Sequence, residues 1–511
     1  MSLHRKVARV VLSFGVAYAA IASSFAHGIA RAELLAGVAK VDVTDRAAGP
    51  VGDPLFVKVL ALKSGDAAAV VITVDAVAIG EIGRIKASYL VDVRAELAKS
   101  PGIKPEQVFV NASHCHGVVK VDDIVKKTAA AVREAWTSLE PVRIGVGVGR
   151  EDRISENRRL KLKDGGESDV RRAYAVAADT DLAAIGPVDP EIGLVRIDRA
   201  DGRPLAVVYN FACHPIMGVP GGGNTADFPG YASELIETAL GDGALAFFVQ
   251  GCAGDVNPVR YKDVHEPHDA APLGHLLGLS VLKARKQITV SDVADLRTIS
   301  ERLALPWAGD YESRIAALES KQAVLLESLK GTSLNFETFL PLYVRYKLDD
   351  ETPLSFAHRY KRDEAAGRDD LKKLDAENRA AIDAYLRNIG VMEELTRLRT
   401  NLALLKKHQA QKIAAGSDTL DVEIGGLRLG DFRLVTFPGE LTTQVGLNIK
   451  NRAAHDTTFV AGYTNGYIYY TPTVEQRRNS GYAQEDCDSL VAPEWQAIFE
   501  ERAAKVLKML E

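Results

Sequence analysis

Gln107-Val108-Phe109-Val110-Asn111-Ala112-Ser113-His114-Cys115-His116-Gly117 is an apolar run that passes directly into an imidazole-rich turn. Its first six residues read as a short buried strand. A helix is predicted soon after it, over Asp122–Leu139, and a β-branched strand before it, over Ala68–Val77. Strands alternating with helices suggest a layered sheet, and open sheets gather ligands at their strand ends. In an extended chain residues i and i+2 face one side, so His114 and His116 are expected to share a pocket. Such a pair suits a metal ion. Its plain alternative is two histidines at the surface or in the core.

Working outward, the alternation continues. Strands are expected at Leu35–Val43, Leu55–Leu62, Arg143–Gly149 and Ala244–Gln250, with helices at Glu81–Lys99 and Tyr231–Leu240. Glu191–Arg199 and Leu205–Ala212 read as a strand pair joined by the turn Asp201-Gly202. From about Tyr311 to Ala415 the texture changes to charged, glycine-poor helix. Two long amphipathic helices, Tyr311–Leu329 and Arg362–Lys412, flank an irregular aromatic stretch with Phe336, Phe339, Tyr343 and Tyr346. Strands resume at Thr419–Phe437 and Thr458–Tyr463, with helices at Thr442–Lys450 and Pro493–Leu510. The expected fold is α/β (α+β): a mixed-sheet layered domain from 33–310 and 416–511, carrying a helical insertion at 311–415. The insertion is either a solvated subdomain or a cap over the substrate entrance.

Bulk properties narrow the function. The 511 residues carry a formal net charge of -5 and no dense basic stripe, which argues against a nucleic-acid partner. His4, Arg5, Lys6 and Arg9 precede an apolar stretch from Val10 to Ala26 and the small-residue site Ala30-Arg31-Ala32. This reads as a signal peptide, residues 1–32, cleaved after Ala32, which makes the protein periplasmic or secreted. An uncleaved anchor is the alternative. Spacing assigns no disulfide among Cys115, Cys213, Cys252 and Cys487.

Further chemistry-bearing residues also follow apolar strands. Asn210-Phe211-Ala212-Cys213-His214-Pro215 ends one strand with a histidine that the proline biases towards extended backbone. A lone structural histidine is the plain alternative. Phe437-Pro438-Gly439-Glu440 places a carboxylate after a sharp turn, where it is expected to start a helix and interact with its dipole. Asn465-Gly466-Tyr467-Ile468-Tyr469-Tyr470-Thr471-Pro472 is dense in tyrosine, and aromatic packing would account for it. No G-x-S-x-G or H-E-x-x-H occurs, which disfavours serine-hydrolase and thermolysin-type sites. His265-Glu266-Pro267-His268 reads as a surface turn.

Taken in order, five motifs resemble the neutral (non-lysosomal) ceramidases: the Ser113–Gly117 run, Asn210 through His214-Pro215, Gly254-Asp255-Val256-Asn257-Pro258, Pro438-Gly439-Glu440-Leu441-Thr442-Thr443, and Asn465 to Tyr470. The resemblance runs from about Ala36 to near the end, without the family's C-terminal immunoglobulin-like domain. It implies Zn2+ held by His114, His214, Glu440 and Tyr470, with His116 beside it as proton shuttle or oxyanion stabiliser. Arg158, in Asn157-Arg158, would bind a substrate oxygen. Asp227 would orient a ligand histidine or cap a helix. Asn257 stands where the family has a catalytic serine, and Val118-Val119-Lys120 replaces small residues of the family. The implied reaction is metal-assisted hydrolysis of an N-acyl amide. The substrate would be a small molecule or lipid-like, with peripheral membrane contact. An esterase or lactonase using the same site, and a non-catalytic periplasmic binding protein, are the alternatives.

Overall fold

Side-chain alternation sorts the main strands into two faces. In the strand Phe56–Ser64, Val57, Val59 and Ala61 face one core and Leu60 and Leu62 another. In Pro204–Phe211, Val207, Tyr209 and Phe211 oppose Ala206 and Val208 in the same way. Both strands are buried on both sides, which is why they read as near-continuous apolar runs. The structure, a computed structural model, describes residues 33–218, 224–261, 268–293, 295–479 and 481–511. The signal-peptide segment and His265-Glu266-Pro267 lie outside the described residues.

Eight strands form the central mixed sheet. Their order is Leu245–Gln250, Pro204–Phe211, Glu191–Arg199, Glu140–Arg150, Leu34–Asp42, Phe56–Ser64, Ala67–Val74 and Val108–Ala112. The outermost pair at each edge is parallel and the inner pairings are antiparallel. One face is covered by the helices Ser88–Lys99 and Ile124–Thr137 at one end and Asp227–Leu240 and Ala271–Arg285 at the other. The other face meets a four-stranded sheet, ordered Leu296–Pro306, Thr419–Leu429, Phe432–Thr436 and Thr458–Ala461. The helices Thr443–Arg452 and Trp495–Met509 close the far side of that second sheet. The fold is therefore α/β with a large mixed sheet, as the alternation implied. Among the described residues no helix is long and apolar enough to cross a membrane.

Several local expectations change. The helix expected from Glu81 starts at Ser88, because residues 75–87 form a loop that reaches the site. The stretch expected to be irregular is a helix, Phe336–Leu348, capped by Asn335, which accepts from Thr338 N at 2.9 Å. Its Phe339 and Tyr346 pack with Ile382 of the 46-residue helix Asp370–Ala415. That long helix is separated from Ala357–Ala365 at Gly367, whose φ of +69° suits glycine. All four cysteines are buried and unpaired.

Candidate metal centre

The two edges of the large sheet approach each other at their carboxyl ends, where Gln250 N donates to Asn111 Oδ1 at 2.9 Å. Asn111 also donates to Gly462 O and Thr464 Oγ1, tying in the end of the second sheet. Strand ends from both sheets therefore converge, and each sends a polar turn inward: Ser113–Gly117, Ala212–Pro215, Gly254–Asn257, Phe437–Glu440 and Tyr463–Tyr470. Left-handed backbone gathers here, with φ of 66° at His114, 53° at Tyr463, 60° at Asn465 and 61° at Tyr469. Non-glycine residues hold this conformation when surrounding structure enforces it, and such positions cluster at functional sites.

His114, His214 and Glu440 meet here, each at most 2% exposed. Glu440 Oε2 lies 3.5 Å from His114 Nε2 and 3.1 Å from His214 Nε2. Ligand atoms 2.0–2.1 Å from one tetrahedral zinc stand about 3.3 Å apart, so this spacing suits a single ion. Each ring is turned to offer Nε2. His114 Nδ1 bonds to Val77 O and His214 Nδ1 to Ala253 O, both at 2.5 Å. A carbonyl only accepts, so Nδ1 carries the proton and Nε2 is the nitrogen turned towards Glu440. Burial opposes ionisation of Glu440, yet the flanking imidazoles outweigh it and hold the carboxyl well below its usual range. For His214, burial and then Arg158 push the pKa down to about 4, which favours the neutral ring. Two imidazoles and a carboxylate form a donor set that fits zinc.

Glu440 is reached in a way the sequence did not suggest. It does not begin a helix. Glu440–Leu441 is a two-residue strand parallel to Tyr470–Thr471, with Glu440 directly opposite Tyr470. The following helix starts at Thr443, whose N–H donates to Asp255 Oδ1 at 2.7 Å. The pairing brings Tyr470 to the cluster, its ring stacked 6.4 Å from that of His214. Burial, then the charge on Glu440, raises the Tyr470 pKa, while Arg158 and Arg171 oppose that rise. Two tyrosines that sequence reasoning did not single out bind Glu440 directly. Tyr467 donates to Oε1 and Tyr463 to Oε2, the latter at 3.3 Å. Tyr467 lay within the tyrosine-dense motif. Tyr463 carried no signal beyond ending a strand.

His116 is set apart from this cluster. The left-handed turn at His114 breaks the extended alternation, so His114 enters the buried group while His116 is exposed. Their ring centroids are 5.4 Å apart. The residue is exposed, yet protein atoms surround the ring closely. That enclosure, then the adjacent His114 and His214, pushes its pKa down to about 3.

Arg158 is 1% exposed and spends its donors on the protein. It bonds Glu485 Oε1 at 2.7 Å, Asn257 Oδ1 at 3.1 Å and Gly254 O at 2.6 Å, and its guanidinium sits 5.4 Å from the Tyr470 ring centroid. Arginine only donates, so it fixes the Asn257 amide with Oδ1 towards itself. Asn257 Nδ2 is left buried without a partner. Asp227 orients no histidine. At the start of its helix its carboxylate accepts from Gly218 N and Phe228 N. His268 bonds Tyr261 O and belongs to no metal-binding group among the described residues.

No family model and no curated protein matches the sequence. Solved structures do resemble the fold. A neutral ceramidase from Pseudomonas aeruginosa superposes with a TM-score of 0.59 at 16% identity, covering 94% of this chain and 74% of that one. A ceramidase complexed with C2 gives a TM-score of 0.59 at 15% identity, covering 94% and 75%. The chain therefore has a ceramidase-like fold.

Proposed function

We propose that this chain is a zinc-dependent hydrolase that uses water to cleave an N-acyl amide bond. The observation that carries the reading is the buried His114–His214–Glu440 cluster, with both rings fixed to present Nε2. The ceramidase-like fold directs the choice among zinc hydrolases towards amide cleavage of a small or lipid-like substrate. Tyr470, opposite Glu440, is the fourth ligand in this reading. A zinc ion bound there would lower the pKa of a water molecule and polarise the acyl carbonyl.

The surrounding residues divide the remaining work. His116, exposed and with its ring 5.4 Å from that of His114, takes the proton of the attacking water and passes it to the leaving nitrogen. Asn257 Nδ2, buried without an acceptor, donates to the acyl oxygen as charge develops on it. In this reading Arg158, whose guanidinium bonds Glu485, Asn257 and Gly254, acts through Asn257 instead of binding a substrate oxygen itself. It holds Asn257 in register and adds fixed positive charge behind Tyr470. Export directed by residues 1–32, with cleavage after Ala32, would place the reaction in the periplasm or outside the cell.

Metal analysis of the purified protein, joined to paired amide and ester substrates, tests the reading. Glu440→Ala is expected to lose zinc and activity together, by several orders of magnitude in kcat/KM. Unchanged activity in that variant would refute the site. Ester cleavage without amide cleavage would make the protein an esterase on the same residues.

A further inference from the structure

The ligand side chains are almost sealed, and His116 is the exposed member of the group around them. It lines a cavity of about 300 Å³ together with Val77, Ile82, Arg84, Val118 and Val119. Apart from His116 and Arg84, every lining residue is alanine, valine, isoleucine or glycine. The Arg84 guanidinium is already paired with Asp45, so the walls offer apolar contact and little else.

This cavity is built onto the metal centre. Val77 forms part of its wall, and the same residue's carbonyl holds the Nδ1 of His114. The opposite wall is pinned. Val118 N donates to Asn224 Oδ1 at 2.6 Å, and Val118 O accepts from Asp45 N at 3.0 Å. Gly83, at φ +76°, packs tightly against Val77 in the same lining. A Cβ there would meet Val77 Cγ1 at 2.4 Å. Walls held this way set a volume instead of adapting to the ligand.

Resting on the amide-hydrolase reading, we infer that this cavity is the specificity pocket and takes an apolar chain of medium length. An apolar cavity of ~150 Å³ admits one benzene ring, so the volume here holds roughly a dozen carbon atoms at most. A linear chain of about six to ten carbons fills it, and a longer chain overhangs into water. The chain can sit on the acyl or the amine side of the bond, since His116 borders both the cavity and the metal group. Val118 and Val119 set the limit, because their branched side chains form the wall next to His116.

Two substrate series on the full-length zinc-loaded protein test this. One varies the acyl chain on a fixed amine, and the other varies the amine chain on an N-acetyl group. In one series, kcat/KM is expected to rise about fourfold per methylene and level off near ten carbons. The other series is expected to stay nearly flat, which identifies the side that enters. Ile82→Phe should lower kcat/KM for the ten-carbon substrate at least tenfold relative to the two-carbon one. Val118→Ala should move the break to longer chains. Calorimetric binding of alkanoates and alkylamines gives a second readout that needs no turnover. Hydrolysis that depends on Glu440 yet ignores chain length in both series overturns the pocket and spares the proposed function. So does a break that neither variant moves while circular dichroism remains native. Alkyl binding that breaks at the same length and shifts in both variants, with no amide cleaved at any length, sustains the pocket and overturns the amide-hydrolase reading.

Discussion

Removing a single oxygen from Tyr467 tests whether the buried tyrosines make Glu440 a metal ligand. Tyr467→Phe keeps the ring, which is 6% exposed and packed beside Tyr469, and deletes the hydroxyl that donates to Glu440 Oε1. A hydrogen bond to a charged group contributes about 1.5–3 kcal/mol. Losing a partner that orients a metal ligand typically lowers metal affinity by about 10–100-fold, or roughly 1.4–2.7 kcal/mol. The two estimates agree, so zinc affinity is expected to fall by that factor. Tyr463→Phe deletes a longer bond, 3.3 Å, to the other oxygen and should cost less than about tenfold. Competition against a chromophoric chelator near neutral pH measures both, with far-UV circular dichroism as the control for folding. Folded Tyr467→Phe protein that holds zinc as tightly as the unmodified chain would refute the reasoning.

Two further outcomes follow from the same geometry. Zinc at a hundred times its dissociation constant should stabilise the fold by about 2.7 kcal/mol, read as a chelator-reversible rise in the thermal midpoint. No shift on chelation would count against a folded-state site. Asp53, whose carboxylate accepts from Thr225 Oγ1 and Ala226 N, has its pKa raised from 3.8 to about 7, chiefly by burial. Between those values the folded state holds a proton that the unfolded state has lost. Stability should therefore fall as pH rises from about 4 to 7, by up to ~1.4 kcal/mol per pH unit. Asp53→Asn should flatten that decline in urea titrations across the same range, and an unchanged slope would argue against it.

The sheet was legible because its strands are buried on both faces and read as unbroken apolar runs between turns. The residues that end those strands were legible too, since each motif follows a strand. What local pattern could not supply was pairing at a distance. Glu440 looked like a helix start because Thr443–Arg452 follows it closely. Its actual partner, Tyr470, lies thirty positions on, and only tertiary structure joins two such short strands. The i, i+2 rule failed at His114 for a local reason: the backbone turns left-handed there, and nothing in a histidine announces that. The aromatic stretch hid its helix because Pro341 sits within it, while its packing onto Ile382 and Tyr385 depends on a helix far along the chain. Arg158 was visible as a charged residue near the motifs. Its actual bond to Glu485 was not, because the acid lies more than three hundred residues away.

That long-range ion pair bears on how the site can use a tyrosine. Tyr470 is buried beside an ionised Glu440, and both circumstances disfavour a negative phenol oxygen. Arg158 and Arg171 flank its ring at 5.4 and 5.1 Å and supply the opposing field. Arginine suits this role because it stays charged when buried, whereas a buried lysine can lose its proton. Glu485 holds both guanidiniums in place, and Asp169 takes a further bond from Arg171. Removing one partner of such a buried pair leaves a charge unmatched, at a typical cost of about 3–5 kcal/mol. The long helix Asp370–Ala415 joins the same assembly: His408 bonds Asp488 Oδ1 at 2.7 Å, and Asp488 O accepts the Tyr470 N–H at 3.0 Å. A helical segment read in sequence as a solvated subdomain or a cap thus grips, through His408 and Asp488, the backbone of the tyrosine that faces Glu440, so its packing bears on the geometry of the metal centre.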